Sequence, residues 1–199
     1  MELRIPSPAE LREIYEKDLR EAFPPAELKP LSAIERMWAE GRYKPYCLYE
    51  DDGAGPIGVA FLWLGHEGWA LLDYLCVTAG WRNDGLGAKM LHLLPEVEPG
   101  AVIFGECEDP ADAPDRAMAE RRMGFYTRNG LRVGGYDTEI FGVHYKTLYI
   151  ADREIPDEEL MAEHQYVYQS SFTPEKYQQF IRIPYDPKQG PSVQVPWDQ

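Results

Sequence analysis

The chain has few cysteines, and their placement does not indicate a disulfide framework. Cys47, Cys76 and Cys107 are odd in number, far apart along the chain, and each lies within an apolar run. Small secreted domains instead carry an even number of cysteines that close several loops. We therefore expect buried free thiols and a cytoplasmic protein.

A long hydrophobic run is also missing. The longest, IGVAFLWL at residues 57–64, is far shorter than the roughly 20 apolar residues that a membrane-spanning helix needs. The N-terminal sequence MELRIPSPAELREIYEKDLR has no apolar centre of the kind found in signal peptides. We expect neither a membrane partner nor a secretion signal.

Positive charge is scarce, with 20 Lys and Arg against 34 Asp and Glu and a formal net charge of −14. Proteins that bind nucleic acid through its phosphates need clustered Lys and Arg, so no nucleic-acid partner is expected. The acidic balance is compatible with a cationic substrate such as an amine, but the favoured interpretation is that it simply keeps a soluble protein from associating. The four histidines form no metal-ligand spacing with the cysteines, so no metal is expected.

Hydrophobic residues make up 44% of the chain, which is enough for a core. Their spacing predicts the order of helices and strands along the sequence. Helices are predicted from Ser7 and over residues 32–41, 85–94 and 115–128. Strands are predicted over residues 46–49, 57–64, 69–77, 101–108, 131–133 and 144–150, with a hairpin turn at 51–56. Antiparallel strands followed by alternating helices and strands indicate an α/β or α+β domain with a mixed sheet.

The composition changes at residue 153, which divides the chain into a domain at residues 1–152 and an extension at 153–199. DEELMAEHQYVYQ has a helical apolar face, and Thr173 followed by Pro174 predicts the start of another helix. Residues from 184 onward, rich in proline and polar side chains, are predicted to be a loop or tail. The aromatic residues of the extension fit either ordinary core or a homodimer surface. They are Tyr166, Tyr168, Phe172, Tyr177 and Phe180.

Residues 71–94 form the most informative segment, because a strand leads through polar residues and two glycines into an amphipathic helix. The unpaired N–H groups and dipole of a helix start bind anions, and Gly85 and Gly87 let a phosphate approach the backbone. Arg82 adds a cationic fork for a phosphate oxygen. The alternative is a tight turn that only needs glycine.

The kind of phosphate ligand stays open at this point. A P-loop needs Lys followed by Ser or Thr after its second glycine, and the residues after Gly87 do not fit. A dinucleotide site needs a third glycine where Met90 stands. Glu106 lies about twenty residues further on, where a ribose-binding acid would be, so dinucleotide binding remains a minor alternative.

Two blocks together resemble the GNAT N-acetyltransferase superfamily. The first is Arg82-x-x-Gly85-x-Gly87 after a strand that ends in valine, with aromatic Trp81 before the arginine. The second is Phe125-Tyr126-x-x-Asn129-Gly130-Leu131, beyond the intervening strand VIFGECE. The resemblance implies a GNAT-like mixed central sheet flanked by helices, with acetyl-CoA as co-substrate, and here a C-terminal helical extension.

The resemblance also implies which residues hold the co-substrate. The strand before the glycines offers main-chain groups to the pantetheine amides, as an added strand would. The amides around the glycines hold the pyrophosphate. Asp84 departs from the usual basic or neutral residue before the first glycine, and its carboxylate suits a helix N-cap. The implied contacts are Leu75, Cys76, Val77, Arg82, Gly85, Leu86, Gly87, Ala88 and Asn129.

A carboxylate must accept the proton of the attacking amine, and the leaving thiolate needs a proton donor. Asp73 and Glu106 are the candidate general bases, and Glu106 is preferred because it ends the adjacent strand; the alternative is that either acid merely caps a helix or pairs with Arg121 or Arg122. Tyr126 is the candidate general acid. A covalent role for Cys76 is not favoured, because no histidine lies near it in sequence.

The sequence therefore predicts an N-acetyltransferase that joins an acetyl group to a small-molecule or peptide amine by direct attack in a ternary complex. A domain that binds acyl-CoA without catalysis, and a dinucleotide-binding protein, are the alternatives. Acceptor specificity is expected in the N-terminal helices, in a loop at residues 138–143 and in the extension.

Overall fold

The computed structural model describes residues 1–51, 55–190 and 192–193. The chain forms two compact units. The first contains Met1–Leu64 and Leu72–Pro99, and the second contains Gly65–Leu71 and the described part of Gly100–Val195. No helix among the described residues is long and apolar enough to cross a bilayer.

The first unit combines N-terminal helices with antiparallel strands. Its helices are α1 (Pro8–Ile14), α2 (Arg20–Ala22), α3 (Leu31–Ala39) and α4 (Leu86–Val97), with a π-helical turn at Tyr15–Leu19. Its strands are β1 (Glu2–Arg4), β2 (Tyr43–Tyr49), β3 (Pro56–Leu64) and most of β4 (Trp69–Val77). Strand β2 pairs antiparallel with both β1 and β3, and β4 lies beside β3.

Helix α4 packs very closely on β3 at Gly58. A Cβ at this position would lie 3.0 Å from both Sδ and Cε of Met90, and 3.2 Å from the carbonyl oxygen of Cys76 on β4. Met90 is fully buried, so its side chain has little room to move away. This contact fixes the depth at which the helix seats on the sheet.

We expect Gly58→Ala to lower the free energy of unfolding by about 1–3 kcal/mol, because the added methyl group overpacks the interface. Chemical denaturation measures the change. Gly80→Ala is the matched control, since a Cβ there would meet no heavy atom within 4 Å. Equal stability of the two variants would contradict the close packing.

The second unit joins the remaining strands and helices. Its strands are β5 (Val102–Glu108), β6 (Arg132–Ile140), β7 (Val143–Ile150) and β8 (Ile181–Arg182), and its helices are α5 (Arg116–Arg128), α6 (Asp157–Gln169) and α7 (Pro174–Phe180). Strand β5 pairs in parallel with the start of β4. It pairs antiparallel with β7, which pairs with β6, which in turn pairs with β8.

The extension is bonded to the sheet of this second unit. The Asp157 carboxylate at the start of α6 accepts a hydrogen bond from the Gly135 N–H of β6, at 2.8 Å. Tyr168 and Phe180 are buried, whereas Tyr166 is 38% exposed. The buried pair therefore belongs to the core of this unit.

Most predicted elements are confirmed, and the differences have local causes. Residues 138–143 are not a loop, because Phe141 and Gly142 both adopt left-handed φ values and connect β6 to β7 directly. Helix α4 continues through Pro95 to Val97 instead of ending at residue 94. Residues 52–54 of the predicted hairpin turn lie outside the described residues, as does most of the tail.

Candidate functional site

Strand β4, the segment after it and the start of α4, which lie in the first unit, carry the predicted co-substrate contacts other than Asn129. Leu75, Cys76 and Val77 are half-buried at the end of β4. A 3-10 turn at Ala79–Trp81 and the exposed residues up to Gly85 lead into α4. The Thr78 N–H and hydroxyl both donate to the Ile57 carbonyl, which ties the end of β4 to β3.

Helix α4 begins without a side-chain cap. Gly85 is its N-cap residue and has a φ of 75°, a left-handed conformation that favours glycine. Asp84 is exposed and does not cap the helix, so the expected N-cap role of its carboxylate is wrong. The first main-chain bond of the helix is Lys89 N–H to Gly85 carbonyl, which leaves the amides of Leu86, Gly87 and Ala88 facing the helix start.

Arg82 lies beside this helix start on an exposed surface. Its guanidinium contacts the Glu21 carboxylate at 3.0 Å, and its Nε donates to the Val77 carbonyl at 3.3 Å. About half of each side chain in the Arg82–Glu21 pair is exposed, so the pair contributes little stability and is easily exchanged for another anion.

Asp73 is part of a buried ion pair. Its carboxylate accepts hydrogen bonds from Lys29 Nζ at 2.6 Å and from the Tyr43 hydroxyl at 2.5 Å. The Lys29 and Asp73 side chains are only 5% and 9% exposed, and the ammonium lies 4.5 Å from the ring centroid of Trp63. Removing either charge would leave the other buried without its partner, so the pair has a structural role.

Cys76 has the properties of a buried thiol rather than a nucleophile. Burial, helped by the charge of Asp18, raises the pKa of its thiol to about 12. The thiol therefore stays protonated at neutral pH, and only the thiolate is nucleophilic.

The parallel ladder between β4 and β5 is short. It pairs Trp69–Leu71 with Val102–Phe104. Strand β4 stays extended to Val77, but its residues after Leu71 take no part in this ladder. Asp73 and Glu106 each lie two residues beyond the last paired position. The backbone of β4 is therefore available for another hydrogen-bonding partner along this edge.

In the second unit, Glu106 is surrounded by donors from α6. Its Oε1 lies 2.8 Å from His164 Nε2, and the Tyr168 hydroxyl donates to Oε2 at 2.9 Å. The His164 Nδ1 lies 3.2 Å from the Tyr136 hydroxyl of β6. The Glu106 side chain is 15% exposed, against 9% for Asp73.

Tyr126 is half-buried in the last turn of α5. Burial, together with nearby Cys107, raises the pKa of its hydroxyl to about 12. Within the part of the chain that the structure describes, no residue forms a hydrogen bond with this hydroxyl. The group is thus a protonated donor that is free to bond a ligand.

Asn129 ends the same helix. Its side-chain amide donates to the Phe125 carbonyl at 2.8 Å, and its main-chain N–H bonds the carbonyls of Phe125 and Tyr126. This capping holds the end of α5, while the side-chain oxygen remains an acceptor. The structure therefore gives Asn129 a local role beside any contact with a co-substrate.

One group of described residues has metal-ligand geometry. The ligand atoms of Asp109, Asp137 and His144 lie within 4.8 Å of one another. Lys146 Nζ contacts both carboxylates, at 3.0 Å from Asp109 and 2.6 Å from Asp137. The Lys146 ammonium already pairs with both acids, so ion pairing explains the cluster, and the absence of a metal stays a prediction.

The family model described as Acetyltransferase (GNAT) family matches residues 9–125. The chain belongs to the GNAT acetyltransferases. It is therefore an enzyme of acyl transfer to amines, and the matched region runs from α1 almost to Tyr126. No curated protein matches the chain.

Solved structures of this GNAT protein's relatives share its fold. One from Bacteroides thetaiotaomicron, assigned to the GNAT acetyltransferases, has a TM-score of 0.65 and 21% identity, and covers 83% of this chain and 95% of its own. A chimera of Vibrio cholerae spermidine N-acetyltransferase has a TM-score of 0.57 and 13% identity, and the match covers 76% of this chain and 96% of the chimera. The ribosomal-protein-S18-alanine N-acetyltransferase of Escherichia coli has a TM-score of 0.53 and 16% identity, and the match covers 78% of this chain and 96% of that enzyme.

Several residues around the candidate bases could not be found from sequence. Lys29 and Tyr43 reach Asp73 from distant segments, and His164 and Tyr168 reach Glu106 from the extension. The only local signal was the helical spacing that places His164 on the apolar face of α6. A histidine on such a face is normally buried, and His164 is fully buried.

Proposed function

We propose that this GNAT acetyltransferase moves an acetyl group from acetyl-CoA to an amine by direct attack in a ternary complex. One observation carries the proposal: an uncapped, glycine-lined helix start follows β4, whose ladder with β5 stops at Leu71. A Cβ on Gly85 would meet no heavy atom within 4 Å, so a phosphate has room at the helix start.

Most of the proposed co-substrate contacts are residues of the first unit. Main-chain groups of Leu75 and Val77 would bond the pantetheine amides, and the N–H near Leu75 or Cys76 would polarise the acyl carbonyl. Bound acetyl-CoA supplies the thioester carbon that the amine attacks. The pyrophosphate would be held by Arg82, Gly85, Leu86, Gly87 and Ala88, and Asn129 would contribute its side-chain oxygen.

Glu106 is the proposed general base. Asp73 is already occupied by Lys29 and Tyr43, so accepting a proton would break a buried ion pair. Glu106 instead contacts His164 and the Tyr168 hydroxyl, with no Lys or Arg among the described residues on its carboxylate, and its side chain is 15% exposed. It would accept the proton of the amine, directly or through a water.

Tyr126 is the proposed general acid. Its hydroxyl keeps its proton at neutral pH because burial raises its pKa to about 12. It would donate that proton to the departing thiolate. Direct attack is favoured over an acetylated Cys76, because the protonated thiol is a poor nucleophile.

The proposed acceptor is a small-molecule or peptide amine. Two of the similar structures are named for spermidine and for the alanine of a ribosomal protein, which marks both classes for testing. The net charge of −14 favours a cationic acceptor over an anionic one.

Incubation with acetyl-CoA and a panel of polyamines, amino acids and alanine-ended peptides tests the function. We expect release of free CoA thiol that depends on one class of amine, with the acetylated amine detected by mass spectrometry. Binding of acetyl-CoA without thiol release from any amine would indicate a non-catalytic acyl-CoA-binding domain.

A further inference from the structure

The C-terminal extension supplies two side chains that contact the Glu106 carboxylate. His164 Nε2 lies 2.8 Å from Oε1, and the Tyr168 hydroxyl lies 3.1 Å from Oε1 and 2.9 Å from Oε2. Both residues are on α6, one helical turn apart, and both are buried. The family model ends at residue 125, so this helix lies outside the matched region.

The hydrogen-bond directions follow from the partners. The Tyr136 hydroxyl is a donor available to His164 Nδ1, so we assign the imidazole proton to Nε2, facing Glu106. The Tyr168 hydroxyl donates to the same carboxylate. An imidazole N–H and a phenol hydroxyl therefore both donate to one carboxylate, and such charge-assisted bonds are stronger than those between neutral groups.

We propose that His164 and Tyr168 are positioning residues for the acetyl-transfer reaction, which hold the Glu106 carboxylate from two sides in the orientation in which it accepts the proton of the amine. The inference rests on the proposed function, in which Glu106 accepts the proton. It makes the extension a working part of the catalytic machinery rather than a structural addition.

The physical effect of the two donors has a definite sign. Each stabilises the charged carboxylate and not its protonated form, so loss of a donor favours protonation. A base that is more easily protonated is inactive up to a higher pH. Removing a donor should therefore move the acidic limb of the kcat/KM profile to higher pH.

Few other titratable groups face Glu106 and could move the acidic limb of the kcat/KM profile. From α6 these are His164 and Tyr168, and from β6 it is Tyr136, whose pKa is raised mainly by burial. Thr147 stands opposite Glu106 on β7 and does not titrate. Asp157 bonds the Gly135 N–H further along β6, and among the causes that raise the pKa of Tyr136 it comes last, after burial and Glu106.

Tyr168→Phe tests the inference with the smallest change of shape. We expect the acidic limb to move up by about one pH unit, and kcat/KM on that limb to fall about tenfold, as loss of one charge-assisted bond implies. The KM for acetyl-CoA should not change. Tyr166→Phe is the matched control, since this exposed tyrosine of the same helix stacks on His66 and does not touch Glu106.

A second pair of variants covers His164. His164→Gln retains an amide donor near Glu106 and should keep most of the activity, whereas His164→Leu removes the donor and should shift the limb as Tyr168→Phe does. A purely structural role would lower the melting temperature of the variants and leave the pH profile unchanged. That result, with an active unaltered protein, would overturn this inference alone; an unaltered protein that acetylates no amine would overturn the proposed function as well.

Discussion

Glu106→Gln is expected to lower kcat by about 10²–10⁴-fold, the range that a lost general base usually costs. The amide has nearly the shape of the carboxylate and can still accept from His164 and Tyr168, so the packing around it should persist. It cannot take a proton from the amine. Steady-state kinetics at saturating acetyl-CoA measures the loss.

Two controls make this result specific. Glu158→Gln changes an exposed acid in the first turn of α6 and should leave turnover unaltered. Acetyl-CoA affinity of Glu106→Gln should equal that of the unaltered enzyme, because Glu106 is not among the proposed co-substrate contacts. A loss of less than about threefold in kcat would be too small for a general base and would favour Asp73, the other candidate, instead.

Tyr126→Phe is the second large effect, with an expected fall in kcat of about 10²-fold or more from loss of the proton donor. The KM for acetyl-CoA should change little, because the ring and its packing remain. The pKa of the hydroxyl, raised by burial to about 12, predicts no alkaline limb from Tyr126 below about pH 11.

The pH profile of the unaltered enzyme and the turnover of Tyr126→Phe must both fit the role of Tyr126 as general acid. The unaltered enzyme should keep its activity from neutral to moderately alkaline pH, as long as the protein stays folded. Unchanged turnover of Tyr126→Phe would remove Tyr126 as the acid and leave proton donation to a water.

The sequence was sufficient for the elements that bear the candidate site, because their signals are local. The run at residues 69–77 predicted β4 with its observed bounds, and Asp115 was predicted at the start of α5 and is its N-cap. Strands β1 and β8 were missed, since three and two residues are too few to show alternation. The expected cap at Asp84 was wrong because Gly85, which favours a left-handed φ, is itself the N-cap residue.

The electrostatic surroundings of the two carboxylates could not be predicted for a different reason. Asp73 pairs with Lys29 across 44 positions of chain, and Glu106 meets His164 across 58. Such pairs depend on which elements the fold brings together, and no short-range pattern encodes them. The alternative partners Arg121 and Arg122 contact neither Asp73 nor Glu106 within the described part of the chain.

Calorimetric titration with CoA, acetyl-CoA and NAD tests the central claim, that the amides at the start of α4 hold the diphosphate of the co-substrate. We predict saturable heat with both CoA forms and none with NAD, and a loss of about tenfold or more in affinity for Gly87→Val, whose side chain would obstruct the approach of the phosphates. Gly80→Ala, in open space before the helix, should bind like the unaltered protein. Absence of heat with CoA and acetyl-CoA, with saturable heat from NAD, would contradict the account.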